Sequence, residues 1–155
     1  MMHHYKTARE VSEHLLHKTG QALMSGDVDA FIPYFSLPQE IQTFDGQCVL
    51  ISPEDIRCTF HAVRAHFLRI GVTDMARHCV EASFSDSETV LATHETRLLS
   101  GNVIAQKPFP VLSVLKFNGS LWQVASASYA IEDRTDHNAA LMVVGKGLLP
   151  SHESG

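Results

Sequence analysis

The sequence has no long hydrophobic run. Although 45 % of its 155 residues are apolar, no stretch approaches the ~20 residues that a membrane-spanning helix needs. The opening stretch MMHHYKTAREVSEHLL lacks the apolar core of about 7–15 residues that a secretory signal peptide carries. Three cysteines, Cys48, Cys58 and Cys79, form no Cys-x-x-Cys pair. We therefore expect a cytoplasmic protein with reduced, mostly buried thiols and no membrane partner.

Positive charge is also scarce. The chain has 12 lysines and arginines against 17 aspartates and glutamates, a net charge of -5, and its basic residues are scattered. Binding to nucleic acid needs clustered cations that neutralise phosphates. The composition therefore argues against a nucleic-acid partner and is typical of a globular protein with a core.

Metal-binding motifs are missing despite ten histidines. The sequence has no His-Glu-x-x-His motif and no quartet of cysteine and histidine ligands. His61 and His66 are five residues apart, which does not place them on one helical face. Asp27 and Asp29 supply only two carboxylates, whereas a calcium loop supplies about six oxygen ligands. We therefore predict no metal site and no cofactor.

The N-terminal half carries signals for three helices and a hairpin. Thr7–Glu10 is a capping-box sequence that opens the first helix, and Gly26 ends it. Asp27 is placed to cap a short second helix, and Asp45-Gly46 is typical of a hairpin turn. The sequence Ser52–Asp55 predicts the start of a third helix. Apolar residues then recur at the spacing of a buried helical face: Ile56, Phe60, Val63, Phe67 and Ile70.

From Val72 onward the apolar period changes to two, which is typical of β-strands. Turns at Ser85–Glu88, Gly101-Asn102 and Asn118-Gly119 divide this part into four consecutive strands. Pro108 and Pro110 lie in the third of them, where we expect a bend. Helices followed by an antiparallel meander predict the α+β class, with three N-terminal helices packed on a strongly curved antiparallel sheet.

This order of elements resembles the nuclear transport factor 2-like superfamily, with its SnoaL-like polyketide cyclase and ketosteroid isomerase branches. The resemblance rests on ALMSGDVDAFIPYF (22–35), on QEIQTFDGQ (39–47), on the SPEDI start of the third helix and on NGSLWQVASASYAI (118–131). It implies a cone-shaped, cystatin-like roll with a pocket at its open end. It also implies a homodimer formed through the outer face of the sheet.

The resemblance covers about residues 7–131, which we expect to form one domain. Residues 1–6 are expected to be a flexible N-terminus. Residues 132–155 are expected to be a C-terminal extension, in which the stretch AALMVVG is either a helical turn or an extra strand.

A ketosteroid-isomerase-like mechanism needs a carboxylate base on the first strand. The resemblance puts Thr43 or Phe44 at the position of that base, and Asp45 follows in the turn. The carboxylate is therefore missing from the expected position. This departure argues against a simple transfer of that mechanism.

The stretch ATHETRLL (92–99) supplies a different candidate, His94. Strand alternation puts His94 and Thr96 on one face, and Glu95 and Arg97 on the other. A turn at Asp86-Ser87 puts His78 opposite Glu95, either as a His–carboxylate pair for general base work or as a polar pair on the outer face.

We predict a SnoaL-like domain that binds a small hydrophobic ligand. It is expected to act without a cofactor as an acid–base enzyme of the isomerase, cyclase or dehydratase type on a carbonyl-bearing substrate. The alternatives are a non-catalytic dimeric interaction or scaffold module, or the small subunit of a larger oxygenase. The predicted catalytic residues are His94 and Tyr34, and the predicted pocket-lining residues are Phe31, Phe44, Tyr129 and Arg97.

Overall fold

The computed structural model describes residues 7–131 and 136–147, without the side chains of residues 146 and 147. The predicted flexible N-terminus, residues 1–6, lies outside the described residues. The elements in chain order are α1 (Ala8–Ser25), α2 (Val28–Phe31) with a 3-10 turn (Ile32–Tyr34), β1 (Phe35–Thr43), β2 (Gly46–Leu50), α3 (Pro53–Arg69), β3 (Asp74–Asp86), β4 (Thr89–Ser100), β5 (Val103–Phe117), β6 (Trp122–Tyr129), α4 (Asp136–Leu141) and α5 (Val143–Gly147).

Local side-chain chemistry sets the ends of the helices. The hydroxyl of Thr7 accepts a hydrogen bond from the backbone N–H of Glu10 at 3.1 Å, and the Glu10 carboxylate accepts one from the N–H of Thr7 at 3.1 Å. Gly26 closes α1 in the left-handed conformation, with φ 79°. Asp27 and Ser52 each accept a bond from the N–H three residues later. The predicted caps are therefore confirmed.

The strands form one sheet in the order β2-β1-β6-β5-β4-β3. The hairpin of β1 and β2 and the antiparallel meander of β3 to β6 are confirmed. The prediction of an antiparallel sheet is wrong at one place, because β1 pairs in parallel with β6 and the sheet is mixed. This pairing covers the edge that β6 would otherwise expose. Strong curvature of the sheet stays a prediction.

A β-bulge in β3 is held by side chains of α1. Val80 is the extra residue between two pairs of the β3–β4 ladder. Arg9 donates hydrogen bonds to the carbonyls of Cys79 at 2.6 Å and Val80 at 3.1 Å, and Glu13 accepts one from the N–H of Cys79 at 2.9 Å. Backbone groups that the bulge frees are thus satisfied, and α1 is fixed along the edge strand β3.

The described part of the C-terminal extension is helical and packs into the core. Ala140, Leu141 and Met142 are buried and join the larger hydrophobic cluster, which also contains Ile56 and Phe60 of α3. The stretch left open between helix and strand is therefore resolved as helix. Among the described helices, none combines the length and apolar character required to span a bilayer.

The thiols follow the prediction in part. Cys48 and Cys79 are buried and Cys58 is exposed, and all of them are free. Burial raises the pKa of the Cys48 thiol, so that it stays protonated and inert.

Candidate functional site

A cavity of about 120 Å³ lies between α1, α3 and the inner face of the sheet. Its walls are mostly apolar, with leucines from α1 and phenylalanines from α3 and β5. His137 and Leu141 of α4 close part of it. An apolar cavity of about 150 Å³ can hold a benzene molecule, whereas pockets for drug-sized ligands measure about 300–1,000 Å³. The volume therefore suits a single ring or a short branched chain.

The register of the strands brings three polar side chains to this cavity. His94 on β4 pairs with Val111 on β5, and Val111 pairs with Tyr129 on β6. His94 and Tyr129 thus share one row of the inner face, with Cα atoms about 10 Å apart across two strand spacings. Arg77 on β3 pairs with Thr96 in the next row. All three side chains line the cavity.

Arg77 is positioned by α1. Its Nη2 donates hydrogen bonds to the carbonyl of Leu16 at 2.7 Å and to the hydroxyl of Thr19 at 2.8 Å. A Cβ on Gly20 would lie 3.0 Å from the same nitrogen, so glycine at this position leaves room for the guanidinium. Within the part of the chain that the structure describes, Arg77 forms no ion pair.

Burial sets the charges of these groups. It lowers the pKa of Arg77 to about 10, which leaves the guanidinium protonated at neutral pH. Burial raises the pKa of Tyr129, although Arg77 acts in the opposite direction, so the phenol stays neutral. Burial, with added repulsion from Arg77 and His78, lowers the pKa of His94 to about 3. The cavity therefore combines one cation with a neutral imidazole and a neutral phenol.

A second buried network reaches the cavity from α4. His66 Nε2 lies 2.9 Å from the side-chain oxygen of Gln106, and the Gln106 amide nitrogen lies 3.2 Å from His137 Nδ1. Gln106 therefore accepts from His66 Nε2 and donates to His137 Nδ1, so Nδ1 of His137 carries no proton in this arrangement. Burial and the adjacent His66 ring, 4.9 Å away between centroids, lower the pKa of His137 to about 3.

Two further polar atoms at the cavity lack partners among residues 7–131 and 136–147. Neither the side-chain oxygen of Gln39 nor the hydroxyl of Thr59 forms a hydrogen bond within these ranges. Both residues are buried, with exposed fractions of 2 % and 8 %. An unmet buried polar group costs about 1–3 kcal/mol. Such atoms are usually matched by a ligand group or by water.

Phe31, His94 and Tyr129 lie where the sequence analysis expected them, at the cavity. Phe31 packs between Phe35 and Phe60, with ring centroids 4.5 Å and 4.8 Å away.

Tyr34, Phe44 and Arg97 lie away from the cavity. The 3-10 turn after α2 directs Tyr34 toward His14 on α1, with ring centroids 6.2 Å apart. Phe44 falls in the β1–β2 turn and is 55 % exposed. Arg97 is on the outer face of β4, where it pairs with Glu95 at 3.3 Å. The expectation that these three serve the pocket is corrected accordingly.

The pairing of His78 with Glu95 is confirmed, at 4.0 Å. Both side chains are on the outer face of the sheet, away from the cavity. The pair therefore matches the second reading of the sequence, a polar cross-strand pair on the outer face.

Sequence reasoning missed Arg77, His137, Gln39 and Thr59. A signal existed for Arg77, since it alternates with Met75 and Cys79 and thus occupies the apolar face of its strand. His137 had none, because α4 is too short to show a helical period.

In the described ranges, no group of three or more His, Cys, Asp or Glu side chains is arranged to hold a metal ion.

Several solved structures are similar to this chain at low sequence identity. A domain of unknown function with a cystatin-like fold from Nostoc punctiforme matches with a TM-score of 0.64 and 16 % identity, over 97 % of this chain and 100 % of that chain. A nuclear transport factor 2-like protein with a cystatin-like fold from Novosphingobium aromaticivorans matches with a TM-score of 0.62 and 15 % identity, over 86 % of this chain and 88 % of that chain.

A ketosteroid isomerase-like protein from Erwinia carotovora atroseptica matches with a TM-score of 0.59 and 15 % identity, over 83 % of this chain and 99 % of that chain. No protein-family model and no curated protein matches the sequence. Likeness at this level of identity establishes a fold and leaves activity open. The resemblance drawn from the sequence is confirmed for the fold: this chain has the nuclear transport factor 2-like, cystatin-like α+β fold.

Proposed function

We propose that the cavity binds a small, mostly apolar molecule that carries a carbonyl group, and that His94 acts on it by acid–base chemistry without a cofactor. The observation that carries this proposal is the convergence of His94, Arg77 and Tyr129 on an otherwise apolar cavity. A few polar groups that converge in an apolar cavity, with pKa values shifted by burial, are the usual features of such a site.

In this proposal His94 is the base, because its imidazole is neutral at physiological pH. It takes a proton from the carbon next to the carbonyl group, and the electron pair of that C–H bond moves toward the carbonyl oxygen. Arg77 and Tyr129 donate hydrogen bonds to the oxygen as its negative charge develops. Where the substrate has a carbon–carbon double bond beside that carbon, the electron pair returns from the oxygen, the double bond moves into conjugation, and the proton goes to the far carbon, which completes an isomerisation.

A low pKa makes His94 a weak base in the empty cavity, since a general base works best with a pKa near the operating pH. Part of that low pKa comes from the positive charge of Arg77. The negative charge that develops on the substrate oxygen offsets this repulsion. The basicity of His94 therefore rises as the reaction proceeds, provided that the oxygen lies beside Arg77.

The experiment is hydrogen–deuterium exchange at the carbons next to the carbonyl of cyclohexanone, a one-ring probe, followed by proton NMR in D₂O. The protein should accelerate the exchange, and His94→Gln should reduce the acceleration by about 10²- to 10⁴-fold, the usual contribution of a general base. His61→Gln, which alters an exposed histidine on α3, is the matched control and should leave the rate unchanged. Equal rates for wild type and His94→Gln would rule out this role.

A homodimer formed through the outer face of the sheet is a second proposal, compatible with the first and with a purely binding or scaffold role. Leu91 and Leu112 are 48 % and 55 % exposed, and Val114, which pairs with Leu91, lies beside them. Neighbouring apolar side chains on an exposed sheet face are typical of a contact surface. No specific feature favours the small-subunit role in a larger oxygenase.

The dimer proposal is tested by light scattering coupled to size exclusion. We expect the mass of a dimer for the wild type and the mass of a monomer for Leu112→Glu, because the new charge would be buried in the interface without a partner. Val103→Glu is the control, since Val103 is equally apolar and 67 % exposed but lies at the β4–β5 turn. A monomeric wild type at micromolar concentration would contradict the proposal.

A further inference from the structure

We propose that the molecule bound in the cavity is a small carboxylate with an apolar body of one ring or a short branched chain, and that its carboxylate pairs with the guanidinium of Arg77. This inference rests on the proposed function, because it names the chemical class of the ligand for the same cavity: the substrate carries the carboxylate in addition to its carbonyl group, and both groups reach Arg77. It adds a charged group to the small hydrophobic ligand that the sequence predicts.

The first argument is the number of free donors on Arg77. A guanidinium carries five N–H groups. The hydrogen bonds to Leu16 and Thr19 both come from Nη2. The N–H groups on Nε and Nη1 have no acceptor among the described residues, and Arg77 lines the cavity.

The second argument is the missing counter-charge. Two acidic residues, Glu13 and Asp74, line the groove between α1 and β3 that also contains Arg77. The Glu13 carboxylate is bound to the N–H of Cys79 at 2.9 Å, and Asp74 accepts from the N–H of Met75 at 2.9 Å. Neither forms an ion pair with Arg77.

The groups that face Arg77 from the neighbouring strands do not compensate its charge either. His94 and Tyr129 are both neutral at physiological pH. A partly buried cation without a counter-ion is unfavourable, and an anion that reaches it removes part of that cost. The cavity therefore favours a negatively charged group at the Arg77 end.

The third argument is the contrast between this end and the rest of the cavity. Beyond the polar row, the walls are built from apolar side chains such as Leu15, Leu23, Phe60 and Phe67. A strongly hydrated inorganic anion would lose its water against these walls without gaining contacts. A carboxylate with a compact apolar body satisfies both parts of the cavity, within a volume of about 120 Å³.

The experiment compares two matched pairs of probes that differ in charge and hardly in shape: 3-methylbutanoate with 3-methylbutanamide, and benzoate with benzamide. Binding to the full chain is measured by chemical-shift titration and calorimetry at pH 7. The wild type should bind at least one carboxylate about 10- to 100-fold more tightly than its amide, the range expected for a charge-assisted hydrogen bond.

Arg77→Gln should abolish this preference, because it removes the positive charge and leaves the apolar walls of the cavity in place. Arg77→Lys, which keeps the charge, should retain part of the preference. Arg97→Gln removes an arginine from the outer face of the sheet and is the matched control, with unchanged affinities.

The outcomes separate this inference from the proposed function. If the wild type binds amide and carboxylate equally well, the carboxylate inference is wrong while the cavity remains a binding site. If it binds none of the four probes at about 20 mM, both are wrong. Loss of the preference in Arg97→Gln would contradict the assignment of the carboxylate to Arg77. Binding of inorganic phosphate as tight as that of the carboxylates would contradict the requirement for an apolar body.

Discussion

Lowering the pH from 6.5 to 5 will destabilise this protein, and His94 and His137 will cause most of that loss of stability. Burial lowers the pKa of each from 6.5 to about 3 in the folded chain. Because both rings regain an ordinary pKa on unfolding, the unfolded chain binds two more protons than the folded chain in this range. Their stabilising contribution is complete above pH 6.5 and is lost as the pH falls toward 3.

The expected size of the effect follows from linkage. Each histidine lowers the free energy of unfolding by about 1.4 kcal/mol per pH unit inside this window. Two histidines therefore remove about 5 kcal/mol between pH 6.5 and pH 4.5, which is comparable to the ~5–15 kcal/mol that holds a domain together. His14 acts in the same direction, since burial and the nearby Lys18 and His17 lower its pKa.

The measurement is urea unfolding at pH 7, 6 and 5, a range above the ordinary pKa values of most carboxylates. His94→Gln and His137→Asn should each reduce the dependence of the unfolding free energy on pH by about 1.4 kcal/mol per unit. Asparagine at 137 keeps an acceptor for Gln106. His61→Gln, at an exposed site on α3, is the control and should leave the dependence as it is. An unchanged pH dependence in both buried-site variants would contradict the prediction.

The helix caps and the hairpins could be predicted from the sequence because their causes are local. Thr7, Gly26 and Ser52 act on backbone groups within four residues of themselves, so a short stretch of sequence contains the whole interaction. The parallel pairing of β1 with β6 has no such signal. It joins strands from opposite ends of the chain, such as Phe35 with Val124, and depends on how the whole sheet assembles.

The same distinction explains the candidate site. Alternation along one strand was enough to place His94 and Arg97 on opposite faces. It could not tell which face lines the cavity, so Arg97 was wrongly expected there. Tyr34 could not be placed in this way, because a 3-10 turn decides its direction. Arg77 belongs to the site through its contacts with Leu16 and Thr19, and those depend on how α1 lies on β3.

Leu141→Ala will destabilise the protein by about 3 kcal/mol, although Leu141 lies outside the range that the family resemblance covers. Its side chain is buried, lines the cavity and packs in the larger hydrophobic cluster. Replacing such a leucine by alanine typically costs about 3–5 kcal/mol, because apolar contacts are lost and a void remains. The lower end applies here, since the site already borders a cavity.

A matched control separates core packing from helix propensity. Leu68→Ala makes the same exchange on α3, where the side chain is 73 % exposed, and should change the free energy of unfolding by about 0.5 kcal/mol or less. In both variants alanine replaces leucine, so the small change in helix propensity is the same. At an unchanged m-value, the difference between their urea midpoints therefore reports the effect of burial alone.

The six residues of α4 are too few to form a stable helix in isolation, so its position depends on what Leu141 and its neighbours bury. If Leu141→Ala were as mild as Leu68→Ala, α4 would contribute little to the core. Residues 7–131 would then carry the stability by themselves, as the family resemblance implies. A large difference instead makes α4 part of the folding unit, and makes His137 a fixed wall of the cavity.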